Sequence, residues 1–220
     1  MDQEPGMLQL RFLESNSKEQ HQTRDWCQML SAKKAAWMRI TGLLGIITPL
    51  VILPSIFAAI SLSPWFSWER NALSDLGVSQ NVAPLFNTVL IMGGILVLLL
   101  GSGMFLAFTR AGARAGAVTL IFAAISLTAI GVFAEDLEPH FYASVAFFAL
   151  LPLSQLTIGM SLMRELDKRI LGMVSVSVAI ASAFVWSFPT EGAAIPEILS
   201  SALGALWSVI FGCKLYKQEI

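Results

Sequence analysis

The sequence predicts an all-α integral membrane protein built as a six-helix bundle. Three observations carry that prediction. Of 220 residues, 55% are apolar and only 13% carry charge, and mean hydropathy is +0.70; an ordinary soluble domain has about 25% charged residues. Six apolar runs approach or exceed the roughly 18–20 residues that cross a bilayer as helix. They also lack the polar stripe that a soluble core helix shows at every turn. Finally, 13 of the 14 Lys and Arg residues fall on one side of a six-span layout.

Residues 1–36 are polar, mix acids with bases and hold no apolar stretch of the kind a signal peptide needs. They are expected to form a mobile cytoplasmic tail, with residues 37–220 as the six-span domain. Within the tail, "LQLRFL" is a candidate amphipathic turn at the membrane surface. The spans are expected at Ile40–Leu62, Ala83–Phe108, Arg114–Ala134, Pro139–Met163, Ile170–Phe188 and Ile195–Leu215. Pro49 and Pro54 lie inside the first. Each is tolerable there as a kink if a neighbouring helix satisfies the carbonyl it frees.

Lys33, Lys34 and Arg39 precede the first span. Arg110, Arg114, Arg164, Lys168 and Arg169 occupy the short connections, and Lys214 and Lys217 end the chain. The opposite loops hold Arg70 alone among bases, but Glu69, Asp75, Glu135, Asp136, Glu138, Glu191 and Glu197 among acids. The positive-inside rule then places the protein in the cell membrane with both termini cytoplasmic and the acidic loops outside. Cys27 and Cys213 fall on the reducing side in this layout and are expected to stay unpaired. No cysteine or histidine spacing matches a metal site.

The stretch "SPWFSWERNALSDLGVSQNVAPLFN", residues 63–87, is the one long outer connection. Long ordered loops carry function more often than short ones. Trp65, Phe66 and Trp68 are expected to anchor it at the interface. The even-numbered spans each open with proline after an acid: Pro84, Pro139 and Pro196. This suggests three related helical hairpins, although helix starts attract Pro and acids in any case. If the hairpins are related, the polar groups at equivalent places converge on one outward pocket.

The candidate ligand-binding residues are Asn71, Ser74, Asp75, Asn87, Asp136 and His140. Ser74 and Asp75 also suit simple helix capping. Asn87 lies three residues into a span, where a bare amide is costly, so it either joins helices, fixes the loop or binds a headgroup. His140 follows Glu135, Asp136 and Glu138, and a carboxylate there would orient its imidazole. If Asn71, Asp75, Asn87 and His140 form a site, their side chains are expected to converge, with Asp75 or Asn87 within hydrogen-bond reach of each other or of His140. His140 and Asp75 are the catalytic candidates. A Ser74–His140–Asp triad has no nucleophile-elbow pattern behind it. The outer acids suit a calcium ion better than zinc.

No acid or base lies at mid-span, where Gln155 is the most polar residue, which argues against a pump or proton relay. There is no dinucleotide fingerprint, phosphate loop or basic nucleic-acid patch. "GGILVLLLGSG" and "GARAG" place Gly94, Gly101, Gly112 and Gly116 for close helix contact instead. The partner is expected to be a membrane lipid, not nucleic acid; a homo-oligomer or protein partner stays open, and no cofactor is indicated.

"LSPWFSWERNALSDLGV", "NVAPLFNTVLIMGGIL" and "GVFAEDLEPHFYASVAFF" together resemble the DUF998 family over about residues 40–215. That resemblance implies a six-span prokaryotic, mainly archaeal, membrane protein of unassigned reaction. The layout is also similar to Frag1/DRAM-like six-span proteins, some of which act in lipid-anchor remodelling. More remotely, "WERN" and "LFNT" resemble parts of the alkaline-ceramidase pattern, but the several metal-binding histidines of that family are missing. Two functional expectations follow. One is an outward polar pocket that binds a lipid headgroup, cation or partner. The other is a lipid-modifying hydrolase or remodelling enzyme at the outer leaflet, with His140 as general acid–base.

Overall fold

The computed structural model describes the backbone from Pro5 to Ile220, and side chains at Arg24 and from Trp26 onward. The chain divides into two units, Met1–Trp37 and Met38–Ile220. In the first, the backbone is helical from Pro5. The expected mobility of this tail, and the "LQLRFL" surface turn, concern side chains outside the described residues.

All regular structure among the described residues is helical. The helices are α1 (Pro5–Ser61), α2 (Ala83–Ala107), α3 (Ala111–Val132), α4 (Glu138–Leu162), α5 (Arg169–Phe184) and α6 (Ala194–Tyr216), with 3₁₀ turns at Leu73–Gly77 and Val185–Ser187. Six of these segments are long and apolar enough to cross a membrane, α1 contributing Trp26–Ser61 and α5 continuing through the second 3₁₀ turn. The protein is thus a multi-pass membrane protein. Observed ends lie close to the expected ones except at the first span. There "KKAAWM" contains good helix formers and no breaker, so the helix runs back past the apolar stretch.

Within Met38–Ile220 the helices from α2 to α6 each pack on the next, as short connections require, and α1 meets α2 at Gly45 and Gly93. The ring closes where α1 meets α6. A Cβ at Gly42 would lie 2.6 Å from the Tyr216 nitrogen and 2.7 Å from the Gly212 carbonyl oxygen, so only glycine lets these backbones approach. Gly94 and Gly101 face α3, and Gly112 and Gly116 face α4, in the close contacts their spacing suggests.

The carbonyl that Pro49 frees is satisfied by a neighbour. The proline ring removes the N–H that would bond the Gly45 carbonyl, and Ser208 Oγ on α6 donates to that oxygen at 2.8 Å. Large buried residues fill the interior, including Leu100, Met104, Leu120 and Ile158, with Trp207 and Phe211 stacked at 4.3 Å. Phe122, Phe141, Ile180 and Leu206 stay exposed on the outer faces, as lipid contact allows.

The bundle has two chemically distinct ends. At the basic end, Glu165 in the α4–α5 connection takes Arg110 Nε at 3.0 Å and Lys168 Nζ at 2.8 Å. Arg114 Nε donates to the Phe108 carbonyl at 2.9 Å. The acidic end gathers the 62–82 loop, the α3–α4 turn and the α5–α6 connection.

Candidate functional site

The 62–82 loop is built by local hydrogen bonds and then pinned to two other segments. Asn71 Oδ1 accepts from the Ser67 N–H at 2.8 Å, and its Nδ2 donates to Asp75 Oδ2 at 2.7 Å. The same Asp75 oxygen accepts from the Ala72 N–H at 3.0 Å. Asp75 therefore caps its own turn, as the simple account of this residue holds. Gly192 N–H donates to the Glu69 carbonyl at 2.7 Å, and Ala194 N–H to the Asn71 carbonyl at 2.9 Å. The aromatic trio divides. Trp65 is exposed, whereas Phe66 and Trp68 are half-buried, edge-on to one another at 5.4 Å and packed against the core.

The most consequential pin comes from α6. Glu197, 8% exposed, accepts the Leu73 N–H on Oε2 at 2.6 Å. Ser74 Oγ reaches in a third direction and donates to Glu135 Oε1 at 3.1 Å. Asp75 lies close enough to Glu135 for the two carboxyl groups to act on one another. Burial, then the hydrogen bond with Asp75 and its charge, push the Glu135 carboxyl up to about 7, while Ser74 opposes the rise. Glu197 lies within electrostatic reach of both acids. Among the described residues no Lys, Arg or His forms an ion pair with any of the three.

His140 opens α4 beside this cluster and is 6% exposed. Its Nδ1 lies 2.8 Å from the Phe133 carbonyl oxygen. A carbonyl only accepts, so Nδ1 carries a hydrogen, and Nε2 is the ring nitrogen left for another partner. The ring is thus oriented by a backbone carbonyl, and no hydrogen bond joins it to the neighbouring carboxylates.

These groups border a cavity of about 720 Å³. Ser74, Glu135, His140 and Glu197 line its polar part. Phe141, Phe148 and other α4 residues, with Trp186 after α5, line the apolar part. The cavity is amphipathic, with acids at one end and hydrocarbon-like walls beyond. No Lys or Arg is among its lining residues.

The predicted site residues separate into groups. Ser74 and His140 line the cavity. Asp75 stands behind Glu135, and Asn71 behind Asp75. Asn87 is drawn elsewhere: its Nδ2 donates to the Gly77 carbonyl at 2.9 Å, clamping the loop to α2. Asp136 is exposed in the α3–α4 turn. Asp75, Asn87 and His140 make no hydrogen bond with one another; Glu135 is the connector in that region. The Ser74 hydroxyl serves Glu135 and not His140, so no triad forms. Among the described residues, no group of three or more His, Cys, Asp or Glu is placed to hold a metal ion.

Glu135 and Glu197 are absent from the sequence-derived site. Glu135 has the same local context as Asp136, and nothing local separates a buried acid from an exposed neighbour. Glu197 carried a usable signal, an acid inside the first turn of an apolar span. The family described as "Protein of unknown function (DUF998)" matches residues 46–214. No match was found among curated proteins or among solved structures.

Proposed function

The chain belongs to the DUF998 family, which names no reaction, and from the cavity itself we propose that this protein binds an amphipathic membrane molecule with a cationic, hydrogen-bond-donating head. The carrying observation is the cavity of about 720 Å³ that joins Glu135, Glu197 and His140 to an apolar wall. Ligand sites are mostly apolar clefts with a few convergent polar groups. Here the polar groups are acceptors. Glu197 keeps Oε1 free of any protein hydrogen bond, and Ser74 already gives its hydroxyl hydrogen to Glu135. A protonated amine supplies both the donors and the charge that three acids without a basic partner lack.

The acidic end faces outward, with both termini in the cytoplasm. The division of Lys and Arg supports this orientation. Maleimide labelling of single cysteines, in a background with Cys27 and Cys213 replaced by Ser, tests it. Positions in 63–82 react in intact cells, and positions in 164–169 react only after permeabilisation.

Native mass spectrometry of detergent-purified protein tests the binding itself. Wild type and Asp136→Asn retain an amphipathic adduct, and Glu197→Gln loses it. Equal adducts in all three would remove the cavity from consideration.

A second reading is favoured by the His140 geometry. With Nδ1 held by the Phe133 carbonyl, Nε2 is set as a general base, and Ser144 one turn along α4 lines the same cavity. In this reading the bound molecule is hydrolysed or remodelled. His140→Asn would then keep the adduct but accumulate an uncleaved lipid in a lipidome comparison with wild type. Identical lipidomes leave binding as the function.

A further inference from the structure

Three cavities in the bundle run in series. The amphipathic cleft shares Ser74, Ser144, Phe148 and Glu197 with a small void of about 40 Å³. That void shares Ile56, Leu90, Leu127, Phe147 and Ser201 with a core cavity of about 90 Å³. The core cavity ends among Leu100, Leu120 and Trp207, and its few polar lining residues are Thr48, Ser201 and Ser208. Thr48 and Ser208 hydroxyls are already engaged with α1 carbonyls at 2.7 and 2.8 Å.

The sequence makes this space with particular residues. Pro49 lines it from α1, and Gly204 and Ala205 present almost no side chain from α6. Protein interiors are otherwise close-packed, and a void forfeits the dispersion contacts of its lining. An apolar occupant restores those contacts, whereas water finds few free partners there. From Glu197 to Ser208 the path follows α6 for about 16 Å at 1.5 Å per residue, a length suited to a hydrocarbon chain.

We infer that the three cavities form one elongated site, in which a bound amphipath keeps its amine at Glu135 and Glu197 and threads one hydrocarbon chain past Phe147 into the core beside Trp207. The inference rests on the binding reading above and adds where the chain goes. The cavities share lining residues and so adjoin one another, with the Phe148 and Phe147 side chains at the two junctions. Phe148 meets Phe147 edge-on at 5.0 Å and Trp186 at a tilt at 4.8 Å, and it lines both the cleft and the small void. The same chemistry serves a free long-chain amine and one chain of an amine-headed lipid.

Photo-cross-linking tests this. Detergent-purified full-length protein is illuminated with hexadecylamine carrying a diazirine at its terminal carbon, and labelled peptides are mapped. Label is expected on Leu100, Leu120 or Trp207. Unlabelled hexadecylamine and an amine-headed phospholipid are each run as competitors, and hexylamine is expected to compete poorly. Competition by the amine alone assigns the site to single-chain amines, and competition by the phospholipid extends it to lipids. Glu197→Gln, which keeps an acceptor for the Leu73 N–H, lowers labelling about tenfold, the loss expected for one charge-assisted hydrogen bond. Label confined to Phe141, Val145 or outer-face residues such as Phe122, yet still lost in Glu197→Gln, overturns the core route and leaves the head site standing. Label indifferent to Glu197→Gln and to every competitor overturns both.

Discussion

The two ends of the bundle use carboxylates in opposite ways. At the basic end one acid, Glu165, takes two cations, Arg110 and Lys168. Its charge is answered on the spot, and it ties two connections together. At the acidic end Asp75, Glu135 and Glu197 lie close together, and none of them has an ion-pair partner among the described residues; they are held by Asn71, Ser74 and the Leu73 N–H. The first arrangement is complete within the protein. The second holds acids close at an electrostatic cost and opens them to a cavity, as sites with perturbed titration tend to. Charge without an internal answer, set beside a cavity, is the more informative pattern.

The sharpest way to break this contrast is to remove the acid that pins the loop. Glu197→Ala leaves the buried Leu73 N–H without its acceptor. A loss of about 2–3 kcal/mol is expected, as for other charge-assisted bonds of buried groups, read as a fall in the denaturation midpoint in detergent. Glu197→Gln should recover most of that stability while losing the ligand. If both variants are equally unstable, loop anchoring and binding are not separable at this residue.

Asn87→Ala probes the same end away from the cavity. It removes the clamp on the Gly77 carbonyl and should cost about 1 kcal/mol, with the adduct seen by mass spectrometry unchanged. A lost adduct would make loop position part of the site.

Proton linkage comes next in size. Glu135 is raised from its ordinary range to about 7, so the folded state holds its proton more tightly than the unfolded chain. The associated stability is fully present below about pH 4.5 and is lost as pH rises through about 7. For a group only half-buried, solvent screening limits this to on the order of 1 kcal/mol. Midpoints recorded from pH 5 to 8 should fall in wild type and fall less in Glu135→Gln. The variant comparison is needed because Asp75, Glu197 and His140 face the same cluster. Parallel curves would assign the pH dependence to one of those groups.

The smallest effect belongs to the basic end. Glu165→Gln removes two ion pairs, but Arg110 is about half exposed and water can serve it. Less than about 1 kcal/mol is expected. A larger loss would show that the neutralised end is as structurally committed as the acidic one.

Particular residues show how far the sequence could be read. Ser74, Asp75 and His140 were legible because each breaks the local pattern: a polar turn between spans, and a lone histidine at a helix start. Asn87 was equally conspicuous, and its clamp on the loop was one of its foreseeable roles. The misassignment of the His140 orienter has a clear cause. Proximity along the chain favoured carboxylates, but the turn before α4 points the Phe133 carbonyl at Nδ1.

By itself, the sequence determined the helical class, the six apolar spans, the helix order implied by short connections and the asymmetry of charge between the two ends. These are local or additive properties. Each apolar side chain contributes its own transfer free energy, and each short connection constrains only its two neighbours. Only the tertiary structure decided that Glu135 meets Asp75 and Ser74, that Glu197 reaches a backbone N–H 124 positions away, and that three cavities lie in series. Those outcomes depend on the rotation of each helix about its axis and on how the 62–82 loop settles across α6. A bilayer weakens the sequence signal for both, because a helix apolar on every face does not mark which side turns inward.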